Sequence, residues 1–179
     1  MTGIRPRDTQ RQRVYDAEQD VREIFDLAEK VPGRMVEVFG SRINLPAERR
    51  MVSLESISVY LNSVLALGWV QDRYPRARIP VTVRARRGAA HAHYEPATSM
   101  VAVPLHHRAA LRELLLLHEL AHHLQPPASA GHGPQFCGVF VELLDGVMGP
   151  EAGWLMRAAL ADNGARLSDI GSRPGRSRP

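Results

Sequence analysis

Two histidines and a glutamate form an H-E-x-x-H motif within LLLLHELAHHLQPP, residues 114 to 127. Because His118 and His122 are four residues apart, a helix would place both imidazoles on one face, one turn from each other. Imidazoles placed in this way can bind one tetrahedral Zn²⁺ ion. Glu119 lies about 100° around the helix from His118, where it can take a proton from a water that zinc activates. The motif therefore predicts a zinc site with a catalytic base.

A leucine-rich core helix that carries histidines is the competing interpretation of this segment. Leucines surround the helix axis at positions 111, 114, 115, 116, 117, 120 and 124, which predicts burial on nearly every side. A buried helix is a costly place for His118, Glu119 and His122 unless each side chain has a partner. Because a metal ion satisfies all three, the leucines strengthen the metal interpretation.

The third metal ligand has two candidates. His132 stands in the segment GHGPQF, directly before a predicted helix, and Pro126-Pro127 can turn the chain back over the metal. Glu142 lies twenty residues past His122, a separation that suits a glutamate ligand. On its own helix, however, Glu142 falls well away from the apolar stripe. We favour His132, and Glu142 stays the alternative.

Five further residues have weaker claims to a role at the site. Tyr94 lies on a predicted strand that can line the cleft, where a tyrosine can stabilise an oxyanion; an edge residue of an amphipathic strand is the alternative. His91 and His93 share a face of that strand and could form a second metal site. His123 points off the metal face and is expected to be exposed or to bond a carboxylate behind the metal. Cys137 is expected to be a small core residue, although it and His123 are the nearest candidates for a fourth protein ligand.

The chain resembles the SprT-like zinc peptidases, in which HExxH is followed by a histidine in an HGxxF or HGxxW setting, as HELAHH is followed here by HGPQF. It is more closely similar to an uncharacterised family of actinobacterial HExxH metallohydrolases, on the segments RDTQRQRVYDAE, VRARRGAAHAHYE, LRELLLLHELAHH, HGPQF and VMGPEAG. The resemblance covers about residues 7 to 165 and implies a compact zincin-like domain that depends on zinc. It implies His118, His122 and His132 as ligands and Glu119 as the base, and it supplies no substrate.

The elements that must position these residues follow from the apolar pattern. Helical spacing predicts helices over 8–30, 108–124, 134–147 and 150–162, and a further helical unit that Ser53 caps and that Gly68 and then Tyr74-Pro75 close. Alternation predicts strands over 35–39, 42–45, 80–86, 93–95 and 100–103. This order predicts an α+β fold, a single zincin-like domain over residues 8–165 with a small mixed β-sheet packed on helices around a central HExxH helix.

Charge and composition bound the function further. The net charge of +4 arises from the arginine-rich ends, 1–13 and 171–179, while the rest of the chain is slightly acidic. We expect residues 1–7 and 166–179 to be flexible basic tails. There is no secretory signal and no apolar run near the ~20 residues that cross a membrane, and the single Cys137 excludes an internal disulfide framework. A cytoplasmic protein is therefore expected.

Two functional hypotheses follow. The first is a zinc metallopeptidase acting on a peptide or protein substrate, which the strand 100–103 binds by edge pairing. The second is a non-catalytic zinc-stabilised domain that binds a partner, or nucleic acid through its basic ends. Arg112 and Glu113, within the predicted HExxH helix, are expected to be solvated charges. A fourth protein ligand would favour the second hypothesis, and an open coordination position the first.

Overall fold

The computed structural model describes residues 7–88 and 91–168. The helices and strands follow in the order α1 (Arg11–Ala28), β1 (Met35–Val38), β2 (Ser41–Asn44), α2 (Leu54–Leu65), α3 (Gly68–Arg73), β3 (Thr82–Ala85), β4 (His93–Glu95), β5 (Met100–Val103), α4 (Glu113–Leu124), α5 (Pro134–Leu143) and α6 (Pro150–Asp162). Short 3₁₀ turns occupy Pro32–Arg34, Pro75–Arg78 and Arg108–Leu111, and a π-helical turn occupies Leu144–Met148. The α+β class predicted from the sequence is confirmed. None of the described helices has the length and apolar character needed to cross a lipid bilayer.

The strands form two small sheets. β1 and β2 make an antiparallel hairpin, and the second sheet has the order β3-β5-β4. In the second sheet β3 runs parallel and β4 antiparallel to β5, so this sheet is mixed, as predicted. Because both edges of β5 are already paired, the prediction that residues 100–103 bind a peptide by edge pairing is wrong. The edges of this sheet are β3 and β4.

Helix α1 buries one apolar stripe in the core. Val14, Val21 and Phe25 on this stripe are fully buried, with the spacing that an amphipathic helix requires. Glu18 lies on the same stripe and is only 4% exposed. A buried carboxylate on an apolar stripe needs a partner, and the partner of Glu18 belongs to the candidate site described below.

Helix α2 begins as predicted, and the helical unit ends directly before the predicted stop at Tyr74-Pro75 but not at Gly68. The Ser53 hydroxyl accepts a hydrogen bond from the Ser56 N–H, and the Ser56 hydroxyl accepts one from the Ser53 N–H, a reciprocal capping box. Gly68 begins the short helix α3 instead of closing the unit. The reason is that the Leu67 carbonyl accepts the N–H groups of Val70 and Gln71 and so opens a new helical turn.

The HExxH helix, α4, begins later than predicted. Arg108–Leu111 is a separate 3₁₀ turn, and the extended backbone of Arg112 (φ −77°, ψ 142°) interrupts the helical path. Glu48, from the segment before α2, takes the place of a helix cap, since its carboxylate accepts a hydrogen bond from the Leu114 N–H at 3.2 Å. The same carboxylate accepts a hydrogen bond from the Arg112 guanidinium at 2.9 Å.

Arg112 and Glu113 are not the solvated charges that the sequence predicts. Only 4% of Arg112 and 3% of Glu113 are exposed. Glu113 accepts hydrogen bonds from the Tyr60 hydroxyl at 2.7 Å and from the Arg49 N–H at 2.9 Å. Arg112 also pairs with Asp26 at 2.8 Å. Since Asp26 lies on α1 and Tyr60 on α2, these bonds fix the start of α4 and the direction in which its HExxH residues point.

The predicted C-terminal tail begins too early. The Gln10 side-chain amide bonds both the N–H and the carbonyl of Arg166, at 3.1 and 3.0 Å. The Ser168 N–H donates to the Pro134 carbonyl at 3.0 Å. Residues 166–168 are therefore hydrogen-bonded to the folded body, while most of the remaining tail sequence lies outside the described residues.

Candidate metal centre

Three histidines converge on one point beside α4, and we call them the histidine cluster. His118 and His122 come from α4, and His132 comes from the loop that precedes α5. The Nε2 atom of His118 lies 3.2 Å from that of His122 and 3.4 Å from that of His132. His118 and His132 are buried, His122 is partly exposed, and their ligand atoms all lie within 4.8 Å of one another. The cluster can therefore bind one metal ion.

The spacing of these nitrogens suits a small tetrahedral cation. Zn–N bonds of about 2.0–2.1 Å place two tetrahedral ligand atoms about 3.3 Å apart. The two distances from His118 Nε2 to the Nε2 atoms of His122 and His132, 3.2 and 3.4 Å, match this value. If each ring carries its proton on Nδ1, three Nε2 lone pairs face one another, and a shared cation relieves their repulsion.

Carboxylates stand behind two of the three imidazoles. Asp8 Oδ2 lies 2.7 Å from His132 Nδ1, and Glu18 Oε2 lies 3.0 Å from His118 Nδ1. The Glu18 contact is close, although its alignment is poor for a hydrogen bond, and His118 Nδ1 has no other partner among the described residues. A carboxylate at Nδ1 keeps the proton there and leaves Nε2 as the metal ligand. Both rings are thus oriented for coordination through Nε2.

Gln125 stands behind the third imidazole. Its side-chain Nε2 lies 3.0 Å from His122 Nδ1 and donates to the Gly131 carbonyl at 3.3 Å. Its Oε1 is buried and has no hydrogen-bond partner in the described part of the chain. The nitrogen and oxygen of an amide exchange places when the terminal group rotates by half a turn. Gln125 can therefore accept the Nδ1–H of His122 when Nε2 of that ring binds a metal.

Gly131 leaves the space through which Asp8 reaches His132. A Cβ atom on Gly131 would lie 2.8 Å from Asp8 Oδ2, closer than real contacts of this kind. The same oxygen is the one that contacts His132 Nδ1. At Gly131 the site therefore requires the absence of a side chain.

Glu119 lies next to the cluster in a buried, charged setting. It is 7% exposed and, with His118, lines a cleft of about 580 Å³. Burial raises the pKa of Glu119, and the nearby charge of His118 and the Tyr94 N–H only partly oppose that rise. Burial alone would lower the pKa of His118, but the carboxylates of Glu18 and Glu119 outweigh it, so that pKa is raised. Burial also lowers the pKa of His132, as does the charge of His118, which favours the neutral form that binds metals.

Aromatic rings enclose the cluster. The Phe136 ring lies 4.4 Å from the His122 ring and 4.8 Å from the His118 ring, measured between centroids. The Tyr15 ring lies 5.0 Å from that of His132, and its hydroxyl accepts a hydrogen bond from Arg11 Nε at 3.3 Å. Tyr15 is 36% exposed and lines the cleft, so its hydroxyl is a polar group at the mouth of the site.

The structure does not bring the Tyr94 hydroxyl to the histidine cluster. Tyr94 is 3% exposed, and its hydroxyl bonds His123 Nδ1 at 2.8 Å and the Arg76 guanidinium at 3.1 Å. We call these three residues the tyrosine network. Because the hydroxyl is held by His123 and Arg76, its placement does not support the predicted role of Tyr94 as an oxyanion donor. Only its backbone N–H faces Glu119.

His123 is neither exposed nor a metal ligand. It is fully buried, and its Nε2 lies 3.1 Å from the Arg76 carbonyl and 3.0 Å from the Ile79 carbonyl. Two acceptors at Nε2 fix the proton there, so Nδ1 accepts the proton of the Tyr94 hydroxyl. Burial and the charge of Arg76 lower the pKa of His123 and keep it neutral. The expectation of an exposed ring was wrong, because loop carbonyls cover this face of α4.

Glu142 and Cys137, the other candidate ligands, make contacts away from the histidine cluster. Glu142 binds the Tyr74 hydroxyl and lies 3.4 Å from Arg73 Nε, and it does not join the cluster. Cys137 is fully buried and accepts a hydrogen bond from Gln10 Nε2 at 3.3 Å, and burial raises the pKa of its thiol to about 12. Of the two third-ligand candidates, the structure thus brings His132 to the site.

His91 and His93 line the cleft without forming a metal site. Both are exposed on the cleft wall near β4. Over residues 7–88 and 91–168, the only group of three potential ligands that converges is the histidine cluster. The second metal site considered from the sequence therefore has no counterpart in the described part of the chain.

Sequence reasoning missed the residues behind the cluster. Asp8 and Glu18 both come from the N-terminal part of the chain. Asp8 lies 124 positions before His132, which it contacts, and Glu18 lies a hundred positions before His118. One signal was available, because Glu18 interrupts the apolar stripe of α1 that Val14 and Val21 define. Comparison with known proteins adds no relative, since no family model, curated protein or solved structure matches the chain.

Proposed function

We propose that this protein is a zinc-dependent metallohydrolase, specifically a metallopeptidase with a zincin-like fold. One observation carries the proposal: three histidine Nε2 atoms converge at ligand spacing, with Asp8, Glu18 and Gln125 behind their Nδ1 atoms. This is the arrangement in which polar partners orient the ligands of a zinc ion. The similarity of HELAHH and HGPQF to the SprT-like zinc peptidases supports the same class.

The chain's own residues divide the chemistry of amide hydrolysis among them. His118, His122 and His132 would hold Zn²⁺, which when bound supplies Lewis acidity and makes water a nucleophile at neutral pH. Glu119 takes the proton of the attacking water and passes it to the leaving amine. The raised pKa of Glu119 suits this role, since a more basic carboxylate holds the proton between the two steps.

Tyr15 replaces Tyr94 as the residue that we assign to the oxyanion. Tyr15 lines the cleft, and its ring centroid lies 6.0 Å from that of His118 and 5.0 Å from that of His132. Because Arg11 donates to the oxygen of this hydroxyl, the O–H of Tyr15 can donate to a substrate. Tyr94 has no such freedom, since its hydroxyl proton goes to His123.

Strand β4 replaces β5 as the strand that we assign to peptide binding. The described residues pair β4 with β5 on one side and place no strand on its other side. The Tyr94 N–H in β4 faces Glu119, so this edge runs past the catalytic base. An extended peptide that pairs with β4 would pass its carbonyls near the histidine cluster.

The lack of a fourth ligand among residues 7–88 and 91–168 favours catalysis over a purely structural zinc site. The described residues contain no fourth ligand near the cluster, and His123 and Cys137, the nearest candidates by sequence, make other contacts. Structural zinc sites take four protein ligands, whereas catalytic sites keep one position open. Binding of nucleic acid through the basic ends concerns residues that lie mostly outside those described.

The replacement Glu119→Gln tests this function. The variant is expected to retain zinc and to lose hydrolysis of a fluorogenic peptide library, because the amide cannot accept the proton of water. Glu142→Gln is the matched control, since it makes the same change at the carboxylate that the cluster does not use; it should keep both zinc and activity. Full activity in Glu119→Gln, or loss of zinc in Glu142→Gln, would contradict the assignment.

A further inference from the structure

Arginines line the cleft beside the histidine cluster. Arg11, Arg22 and Arg86 border the same cavity of about 580 Å³ as His118 and Glu119. The placement is unexpected, because the chain outside its two ends carries slightly more acidic than basic residues. Guanidinium groups at the wall of a hydrolytic site act directly on the choice of substrate.

Two walls present these arginines. Arg11, Tyr15, Glu18 and Arg22 lie at positions i, i+4, i+7 and i+11 of α1, and all four line the cleft. Such positions follow one face of a helix, with its two ends about 16 Å apart at a rise of about 1.5 Å per residue. Arg86, which follows β3, lines the cleft from another part of the chain. A substrate in the cleft would therefore meet a guanidinium from α1 and another from beyond β3.

These guanidinium groups make no ion pair with the described residues. Arg11 lies over the Tyr15 ring, 5.3 Å from its centroid, and donates to the Tyr15 hydroxyl. Arg86 donates to the His91 carbonyl at 3.0 Å, and Arg22 donates to the Gln19 side chain. Within 4.0 Å of these guanidinium groups there is no described carboxylate.

The arginines at the start of α4 show the contrast. Arg112 pairs with Glu48 and Asp26, at 2.6 and 2.8 Å, and Arg50 lies near Glu29 at 3.3 Å. Paired arginines hold elements together and have little attraction left for a ligand. The cleft arginines keep donors that planar carboxylates can accept in bidentate fashion.

The acids in the cleft do not cancel this positive field. Glu18 is held against His118, and Glu119 is the base next to it. A divalent cation held by the histidine cluster would balance those two carboxylates. The charge of the arginines would then remain in excess, and it would act in a partly enclosed cavity where water screens it less than in bulk.

We propose that the cleft selects peptides with a carboxylate close to the scissile bond, taken by Arg86 and Arg22, which line the cleft from different parts of the chain. The carboxylate is either an Asp or Glu side chain or the free carboxyl group at the C-terminus of the peptide. Both sources present the same planar anion, and hydrogen bonds from a guanidinium fit it in two places at once. The hydrolysis rests on the proposed function, whereas the binding preference can be measured without it.

Single-stranded nucleic acid fits this cleft less well than a carboxylate. A phosphodiester chain brings one charge per nucleotide and needs a continuous basic track. Here Glu18 lies between Arg11 and Arg22 on the α1 wall, and Glu119 lies beside His118. Isolated guanidinium groups among carboxylates suit a ligand with one or two charges.

The test measures peptide binding to the zinc-loaded Glu119→Gln protein, in which peptides should stay uncleaved. Fluorescence anisotropy compares versions of one labelled peptide that carry Glu or Gln at the centre and a free or amidated C-terminus. We expect the best carboxylate-bearing version to bind roughly tenfold more tightly than the Gln amide, as for one charge-assisted hydrogen-bonding site. The Glu amide reports on the side chain, and the Gln acid reports on the C-terminus.

Variants connect this preference to the cleft. Arg22→Gln/Arg86→Gln should abolish the preference, and Arg86→Gln alone should weaken it, which keeps the test valid if the double variant folds poorly. Arg157→Gln removes the same charge from an exposed position on α6 and should leave the preference unchanged. In the parent protein, high salt should reduce the difference in affinity between the carboxylate-bearing peptides and the Gln amide.

Several outcomes would overturn the proposal. These are equal binding of all peptide versions, no binding of any, a preference that survives in the arginine variants, or an oligothymidine that binds more tightly through the same arginines. Failure of the proposed function looks different. In that case the parent protein hydrolyses no peptide, yet the carboxylate preference and its dependence on Arg86 persist.

Discussion

His122 and His123 are neighbours on α4, yet they serve opposite purposes. His122 points its Nε2 at another imidazole nitrogen, 3.2 Å away on His118. His123 gives its Nε2 proton to two carbonyls and accepts the proton of Tyr94 at Nδ1. One ring thus faces the Nε2 atom of another candidate ligand, and the other has backbone carbonyls and the Tyr94 hydroxyl at its nitrogens.

The difference shows how a candidate metal ligand is distinguished from a core histidine on the same helix. In the tyrosine network, the protein completes the hydrogen bonds of His123, and a cation would have to displace them. In the histidine cluster, carboxylates act on Nδ1 and leave Nε2 directed at the other ligands. Burial alone does not separate the two cases, because His118 and His123 are both buried.

Replacing His122 and His123 one at a time tests the difference between them most directly. His122→Ala should lose the metal, with a drop in affinity beyond the roughly 10–100-fold that loss of an outer partner costs. His123→Ala should keep about one zinc per chain, although with lower stability, because the Tyr94 hydroxyl and two carbonyls lose their partner. Metal analysis after dialysis measures both variants. Equal zinc loss in His122→Ala and His123→Ala would contradict the assignment of His122, and not His123, to the metal.

The carboxylates behind the cluster are expected to have the next largest effect. Asp8→Asn and Glu18→Gln should each lower zinc affinity by roughly 10–100-fold, since an amide orients the imidazole but does not raise its basicity. Asp16→Asn on the exposed face of α1 is the control and should leave affinity unchanged. Competition with a coloured chelator gives the constants. If Asp8→Asn and Asp16→Asn behave alike, Asp8 has no role behind His132.

A smaller loss of zinc affinity at the histidine cluster is expected from Gly131→Ala. The added methyl group would meet Asp8 Oδ2 at 2.8 Å, and the carboxylate would have to leave His132 to make room. Zinc affinity should fall, but by less than in Asp8→Asn, because the carboxylate can move and partly restore its contact. Gly68→Ala is the control, since its Cβ would meet nothing within 4 Å. Chelator competition should separate the two variants, and identical affinities would show that the space at Gly131 is not needed.

The smallest effect concerns the pH dependence of stability in the tyrosine network. Burial lowers the pKa of His123, so the unfolded chain takes up the proton first as pH falls through about 6.5. Between pH 7 and pH 5, the metal-free parent protein should therefore lose about 1 kcal/mol more stability than His123→Gln. Urea denaturation at each pH measures the difference, and the other histidines cancel in it. Parallel curves for the two proteins would mean that His123 is not held neutral.

How much of this site the sequence predicts depends on the distance between its parts. His118, Glu119 and His122 lie within one helical turn, so helix geometry alone sets their arrangement. His132 follows after a short loop, and so short a connection makes the chain fold back on α4. Asp8 comes from the segment before α1 and Glu18 from α1 itself, and only tertiary contacts with His132 and His118 bring them behind the cluster.

The errors of the sequence analysis have a common origin. Alternation along β4 places Tyr94 on one face of the strand but does not say which face meets the metal. In the same way, Arg112 and Glu113 read as surface charges until Glu48 and Tyr60 are brought against them by tertiary contacts. For a charged residue at the end of an element, the partner decides the role, and distant segments supply the partner.

X-ray absorption at the zinc edge of the purified protein tests the central claim most directly. The histidine cluster predicts one zinc per chain, with three imidazole nitrogens at about 2.0–2.1 Å and one further light atom from solvent. Imidazole scattering would identify the histidines, and an open position would mark a site able to activate water. A sulfur ligand, four imidazoles or no specifically bound metal would contradict the account.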